Sequence, residues 1–221
     1  MIKDALVLLF YRLFSIKSVA KKISQKNYEN NLVAWDNYKN RFKNDIYIEH
    51  QDAMSLLYYG RNYSADYNSC EVIAIYNALI DLKNYNEDVV IPYFPVLLSK
   101  FEKNGITWGG AFGTSPFAIM KYFISKNYNI EMFNYKKWKR LCSDKREYDE
   151  FVNTFDTFIF MTYNNEKTVK DMIHTMSITK DNDCYQIHND YEGSKKYDSL
   201  KEAVSGYKSG RSRMILLFGI K

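Results

Sequence analysis

The chain has 221 residues, 46% hydrophobic and 17% aromatic, which is enough apolar material to bury a real core and excludes an intrinsically disordered chain. With 31 Lys and Arg against 26 Asp and Glu the formal net charge is +5, and the basic residues are scattered along the chain rather than gathered in one block, so a solvated surface is expected and nucleic-acid binding is not. Three cysteines without a C-x-x-C pair exclude a zinc ribbon, a thioredoxin-like motif and a disulfide framework; free thiols in a reducing compartment, the cytoplasm, are expected, and one Cys142–Cys184 bridge is left open.

The most continuous apolar run is Ala5-Leu6-Val7-Leu8-Leu9-Phe10. Tyr11-Arg12 interrupts it far short of the about 20 apolar residues a membrane span needs, and no small-residue cleavage site follows. The pattern reads as an amphipathic helix with Leu6, Leu9, Phe10, Leu13 and Phe14 on one side, expected to pack on its own domain. The flanking Lys17, Lys21 and Lys22 allow a second role, docking on an anionic membrane surface, and a partner-binding or inhibitory pro-segment role is a third. Tyr28, Leu32, Trp35, Tyr38 and Phe42, spaced by threes and fours, predict another helix. Residues 1–45 are thus expected as an N-terminal helical extension and 46–221 as the main domain.

Gly60-Arg61-Asn62 reads as a turn leading to Asn68-Ser69-Cys70-Glu71, which runs into the apolar Val72-Ile73-Ala74-Ile75. A helix is expected from about Ser69 to Lys83, with Val72, Ile75, Tyr76, Leu79 and Ile80 on one stripe. Pro95 suits the first turn of a helix running to Lys103 and stopped by Asn104-Gly105. Trp108-Gly109-Gly110-Ala111-Phe112-Gly113-Thr114 lacks the Lys-Ser or Lys-Thr of a phosphate loop. It reads either as an ordinary interhelical loop or as a cleft wall whose glycines admit an extended peptide. Ser115-Pro116 predicts a capped helix over 117–126, with Asn127 as its stop.

The second half is strand-rich. Thr157 to Tyr163 and Met214 to Ile220 read as buried strands, and between them lie a strand headed by His174 and one beginning near Tyr185, joined by a hairpin turn at 180–183. Ser199 to Val204 predicts a short helix. Helices first and an antiparallel sheet afterwards make an α+β domain.

Cys70 sits in the first turn of its helix, where unpaired N–H groups and the dipole favour a thiolate. His174 is the best base, because His50 lies in an unassigned segment and His188 alternates to the other face of its strand. Asn189 and Asp190 compete for the third polar position; alternation places Asn189 with Tyr185 and Ile187, and a one-residue bulge would favour Asp190.

The order of cysteine on a helix, histidine on a strand and Asn or Asp at the end of the next strand resembles the papain-like cysteine peptidases. The bacterial group related to the double-glycine leader peptidases of bacteriocin export is the nearest variety. Three segments carry the likeness: Tyr67-Asn68-Ser69-Cys70-Glu71-Val72-Ile73-Ala74, Gly113-Thr114-Ser115-Pro116-Phe117-Ala118-Ile119-Met120-Lys121-Tyr122, and Ile173-His174-Thr175-Met176-Ser177-Ile178 with its follow-on strand. The resemblance implies a papain-like fold, the nucleophile helix packed on a C-terminal antiparallel sheet. It also implies hydrolysis of a peptide or amide bond by a Cys70–His174–Asn189 triad, a peptide or protein substrate, and no metal or cofactor. Papain-like enzymes place a Gln upstream of the cysteine to complete the oxyanion hole; here Arg61 to Asp66 has none, and Asn62 and Asn68 are the candidate donors. Two alternatives share the residues: a papain-like binding or immunity module that does not cut, and a cysteine acyltransferase or amidase with a non-protein substrate.

Overall fold

The computed structural model describes residues 2–15, 19–164, 172–181, 184–190, 193, 195–210 and 212–221, with the side chains of 2, 3, 208 and 209 left aside. Lys17 and two residues of the expected 180–183 turn lie outside that set. The chain forms two compact units, Met1–Tyr76 with Ile91–Tyr122, and Asn77–Val90 with Phe123–Lys221. The first 45 residues belong to the first unit.

The first unit holds α1 (Ile2–Phe14), α2 (Lys21–Arg41), α3 (Ala65–Asn68), the first half of α4 (Cys70–Tyr85), α5 (Phe94–Lys103) and most of α6 (Pro116–Ile124). Trp35 anchors α2, its ring 4.8 Å from Phe94 and 5.9 Å from Tyr76. The rest of the buried stripe is not the expected apolar one: it runs Ser24, Asn27, Asn31, Trp35, Tyr38, with Tyr28 and Leu32 half-buried beside it and Phe42 beyond the helix end. Each asparagine satisfies backbone that would otherwise be orphaned. The Asn27 amide donates to Gly60 O at 2.8 Å and Glu102 Oε1 at 2.6 Å, while Asn31 donates to Tyr58 O and accepts from Tyr58 N–H.

The starts of α5 and α6 follow their prolines, whereas α2 and α3 begin without a side-chain cap. Pro95 lies in the first turn of α5, and Pro116 opens α6, but the Ser115 hydroxyl is buried without a partner and does not cap it. The start of α6 is held instead by Ser115 C=O accepting from Ala118 N–H at 2.9 Å. Asn127 follows α6 in the left-handed region, φ 63°, as its stop.

The second unit is built on one antiparallel sheet of six strands, β1 (Ile130–Asn134), β2 (Thr157–Tyr163), β3 (Ile173–Asp181), β4 (Cys184–His188), β5 (Lys196–Tyr197) and β6 (Arg213–Ile220), in the order β1-β6-β2-β3-β4-β5. The class is therefore mixed α+β. One sheet face, carrying Phe158, Phe160, Met176, Ile178, Tyr185 and Ile187, forms a core with Trp138 and Leu141 of α7 (Tyr135–Leu141), Phe151 and Val152 of α8 (Lys145–Thr154), and Leu200 and Ala203 of α9 (Leu200–Gly206). On the other face the second half of α4 meets the sheet through Asp81, which is hydrogen-bonded to Thr157. Helix α4 is buried nearly all round up to Leu82, Glu71, Asn77 and Asp81 included, and of the expected stripe Tyr76 alone is half-exposed. Among the described residues no helix is long and apolar enough to cross a membrane.

Candidate active site

Cys70 is the first residue of α4 and is 7% exposed. Its neighbour Glu71 is buried and accepts Thr114 N–H on Oε2 at 3.1 Å. Burial pushes the Glu71 carboxyl up to about 7, while hydrogen bonds from Thr114 N–H, its own N–H and the Cys70 thiol hold it down. Gly113, at φ 58°, is required beside it, since a Cβ there would lie 2.5 Å from Glu71 Oε2. Tyr59 is hydrogen-bonded to the Thr114 hydroxyl, completing a buried polar cluster next to the thiol. Helix α1 contributes Tyr11: burial raises its hydroxyl well above the usual phenol range, with smaller contributions from Glu71 and Cys70.

This cluster acts on the cysteine in two directions. The head of a 16-residue helix favours negative charge on sulfur. An ionised Glu71 opposes it, while a protonated Glu71 can donate to the sulfur. Glu71 is absent from the candidate residues the sequence suggests, and its place directly after the cysteine at a helix start is the signal along the chain that marks it.

Asn68 is spent on structure. Its amide donates to Tyr59 O at 3.1 Å and to Gly110 O, so both protons are committed to carbonyls and none is left for an oxyanion. Asn62 is exposed in the turn ahead. The glycine loop is likewise occupied by the chain itself: Arg61 N–H donates to Gly109 O at 2.8 Å, and a Cβ on Gly60, φ 96°, would stand 2.5 Å from that same oxygen. Backbone packs on backbone at the place where the cleft-wall reading expected a peptide.

In the second unit His174 is buried on β3, its Nε2 2.7 Å from the backbone oxygen of Asn189. A carbonyl only accepts, so Nε2 carries the proton of the neutral ring and Nδ1 is the basic nitrogen. The expectation that alternation aims the Asn189 side chain does not hold, because β4 ends at His188 and Asn189 turns into the left-handed region at φ 62°. Its carbonyl meets the imidazole. Asp190 follows, also buried.

His188 pairs in register with Ser177 and lies 3.0 Å from the Thr179 hydroxyl, whereas His174 pairs with Thr162 and shares parity with Met176 and Ile178; the two histidines occupy opposite sheet faces. His50 is exposed, 3.4 Å from Asp45 Oδ2 and stacked on Phe42. Near His174, the Thr162 hydroxyl and both polar atoms of the Asn164 side chain are buried with no hydrogen-bond partner among the described residues. Cys142 and Cys184 are free, so the bridge left open by the sequence is not formed, and burial raises the Cys142 thiol to about 11 against the lowering influence of Lys201.

Comparison with protein-family models, with curated protein sequences and with solved structures found no match.

Proposed function

We propose that this protein is a papain-like cysteine hydrolase of peptide or amide bonds, with Cys70 as nucleophile, His174 as base and Asn189 as the group that orients the imidazole. The observation that carries the reading is the His174–Asn189 bond, because it fixes the tautomer in which Nδ1 can take a thiol proton. In the proposed cycle the Cys70 sulfur attacks the carbonyl carbon while its proton passes to His174 Nδ1. The imidazolium then protonates the leaving amine, and water hydrolyses the thioester. N–H groups at the head of α4 serve the oxyanion, with Asn62 as the remaining side-chain candidate now that Asn68 is committed.

Two observations favour a second reading, a papain-like binding module that does not cut: Cys70 is nearly enclosed, with Glu71 bonded to it and Tyr11 close by, and His174 lies on the Met176–Ile178 face of the sheet, opposite the face that the second half of α4 meets. Mass-spectrometric labelling with a limiting dose of iodoacetamide at about pH 6 separates the two. Hydrolase chemistry predicts Cys70 modified ahead of Cys142 and Cys184, with the advantage falling in His174→Ala. If Cys70 reacts no faster than the other two, the hydrolase reading fails and the binding module stands.

A further inference from the structure

We infer that the outer face of α1, together with the Trp108–Phe112 edge of the glycine loop, is a docking surface for an anionic membrane. The expected single apolar face of α1 is split in the structure. Phe10 and Phe14 turn inward onto Trp108, with ring centroids at 6.3 and 4.9 Å, and Phe10 also meets Phe112 at 4.7 Å, while Tyr11 is buried. Leu6, Leu9 and Leu13 are left on the outside, 59%, 50% and 59% exposed. They lie at i, i+3 and i+7, one continuous stripe where a helix resting on a water-soluble surface carries polar residues. Trp108 is 53% exposed despite its stacking partners, so the stripe and an exposed aromatic edge belong to one apolar surface joined by Phe10 and Phe14.

The charge around this surface selects the occupant. Within the first 22 residues there are five basic residues, Lys3, Arg12, Lys17, Lys21 and Lys22, against the single acidic Asp4, an excess of four out of the whole chain's +5. The remainder of the chain is close to neutral despite its many lysines. Arg12, Lys21 and Lys22 are exposed, and Arg61, also exposed, packs its stem on Gly109 beside Trp108. Exposed leucines and a tryptophan in a part of the chain that carries most of the net positive charge match a bilayer interface with anionic headgroups. A second copy of the chain would bring the same positive charges face to face, which disfavours self-association through this surface.

The molecule carries its own probe. Of its three tryptophans, Trp35 and Trp138 are buried and Trp108 is exposed, so a change in emission on adding vesicles reports Trp108. The full chain is mixed with vesicles of phosphatidylcholine alone or containing about 30% phosphatidylglycerol, at about 0.1 M and about 0.5 M salt, and sedimented. Expected are a blue shift and co-sedimentation with the anionic vesicles, at least about ten-fold weaker on phosphatidylcholine alone and weakened by salt. L6E/L9E/L13E changes only exposed side chains and should keep the wild-type melting curve while losing vesicle binding. R12E/K21E/K22E should keep the apolar stripe and lose the preference for anionic lipid. Absence of wild-type binding, or equal binding by the leucine variant, overturns the inference. So does a dimer in light scattering that the leucine variant abolishes while vesicle binding is absent.

Discussion

Glu71→Gln tests whether the polar cluster beside Cys70 stores an electrostatic cost. The Glu71 carboxyl is raised from an ordinary 4.5 to about 7, chiefly by burial, so the folded chain holds this proton more tightly than the unfolded one. Below about pH 4.5 both states are protonated and the site costs nothing. As pH rises toward 7 the unfolded state releases the proton first, and stability falls. Above pH 7 the full cost is in place, about 3 kcal/mol at roughly 1.4 kcal/mol per pH unit. Glutamine keeps a carbonyl for Thr114 N–H and an amide to donate toward the Cys70 sulfur, but it cannot ionise. Urea unfolding followed by far-UV circular dichroism at pH 5, 6, 7 and 8 gives the stability difference between variant and wild type. That difference should move by about 2.5 kcal/mol in favour of Gln across this range, since part of the cost is already in place at pH 5. Asp81, raised to about 7 by burial, adds a slope of the same sign to both proteins and cancels in the comparison. A difference that stays flat with pH would refute the assignment of a near-neutral carboxyl to Glu71. The same substitution removes the negative charge that opposes a thiolate, so iodoacetamide labelling of Cys70 at pH 8 should quicken.

Three other substitutions follow from the geometry. Gly60→Ala sets a methyl group 2.5 Å from Gly109 O in a left-handed backbone conformation, and should lower stability by about 3 kcal/mol or more in urea titration. Asn189→Gly keeps both the left-handed backbone and the carbonyl that holds His174, so Cys70 labelling should match wild type; a ten-fold loss would show that the amide side chain acts instead. Asn31→Ala leaves Tyr58 N–H and C=O without their side-chain partner, at a cost of about 1–3 kcal/mol in urea unfolding, whereas the exposed Asn30→Ala in the same helix should cost nothing.

Much of the secondary structure was legible because its causes are local. Thr157 to Tyr163 is a run of β-formers long enough to be a strand and nothing else, and β2 has those bounds. Pro95, Pro116 and Ser199 mark helix starts by backbone chemistry confined to one turn, and Ser199 accepts from Glu202 N–H as a cap should. The stretch from Ile130 to Thr154 shows no clear apolar periodicity, yet it holds β1, α7 and α8. Its lysines and arginines mask a thin apolar signal, although Asn134 and Asp144 cap the two helices and were there to be read.

What the sequence determined by itself was the class of the fold, the place of Cys70 at a helix start and of His174 on a strand, since propensity, capping and periodicity act over a few residues. What only the tertiary structure decided was everything that depends on distant partners. Asn27 and Asn31 face inward because carbonyls of 58–60 and the Glu102 carboxylate wait there. Asn189 presents its carbonyl to His174 because the strand stops one residue early. Leu6, Leu9 and Leu13 are exposed because Trp108 and Phe112 claim the other side of the helix. Glu71 ionises near neutrality because burial removes the water that would solvate its charge, and no pattern along the chain encodes which groups will be dry.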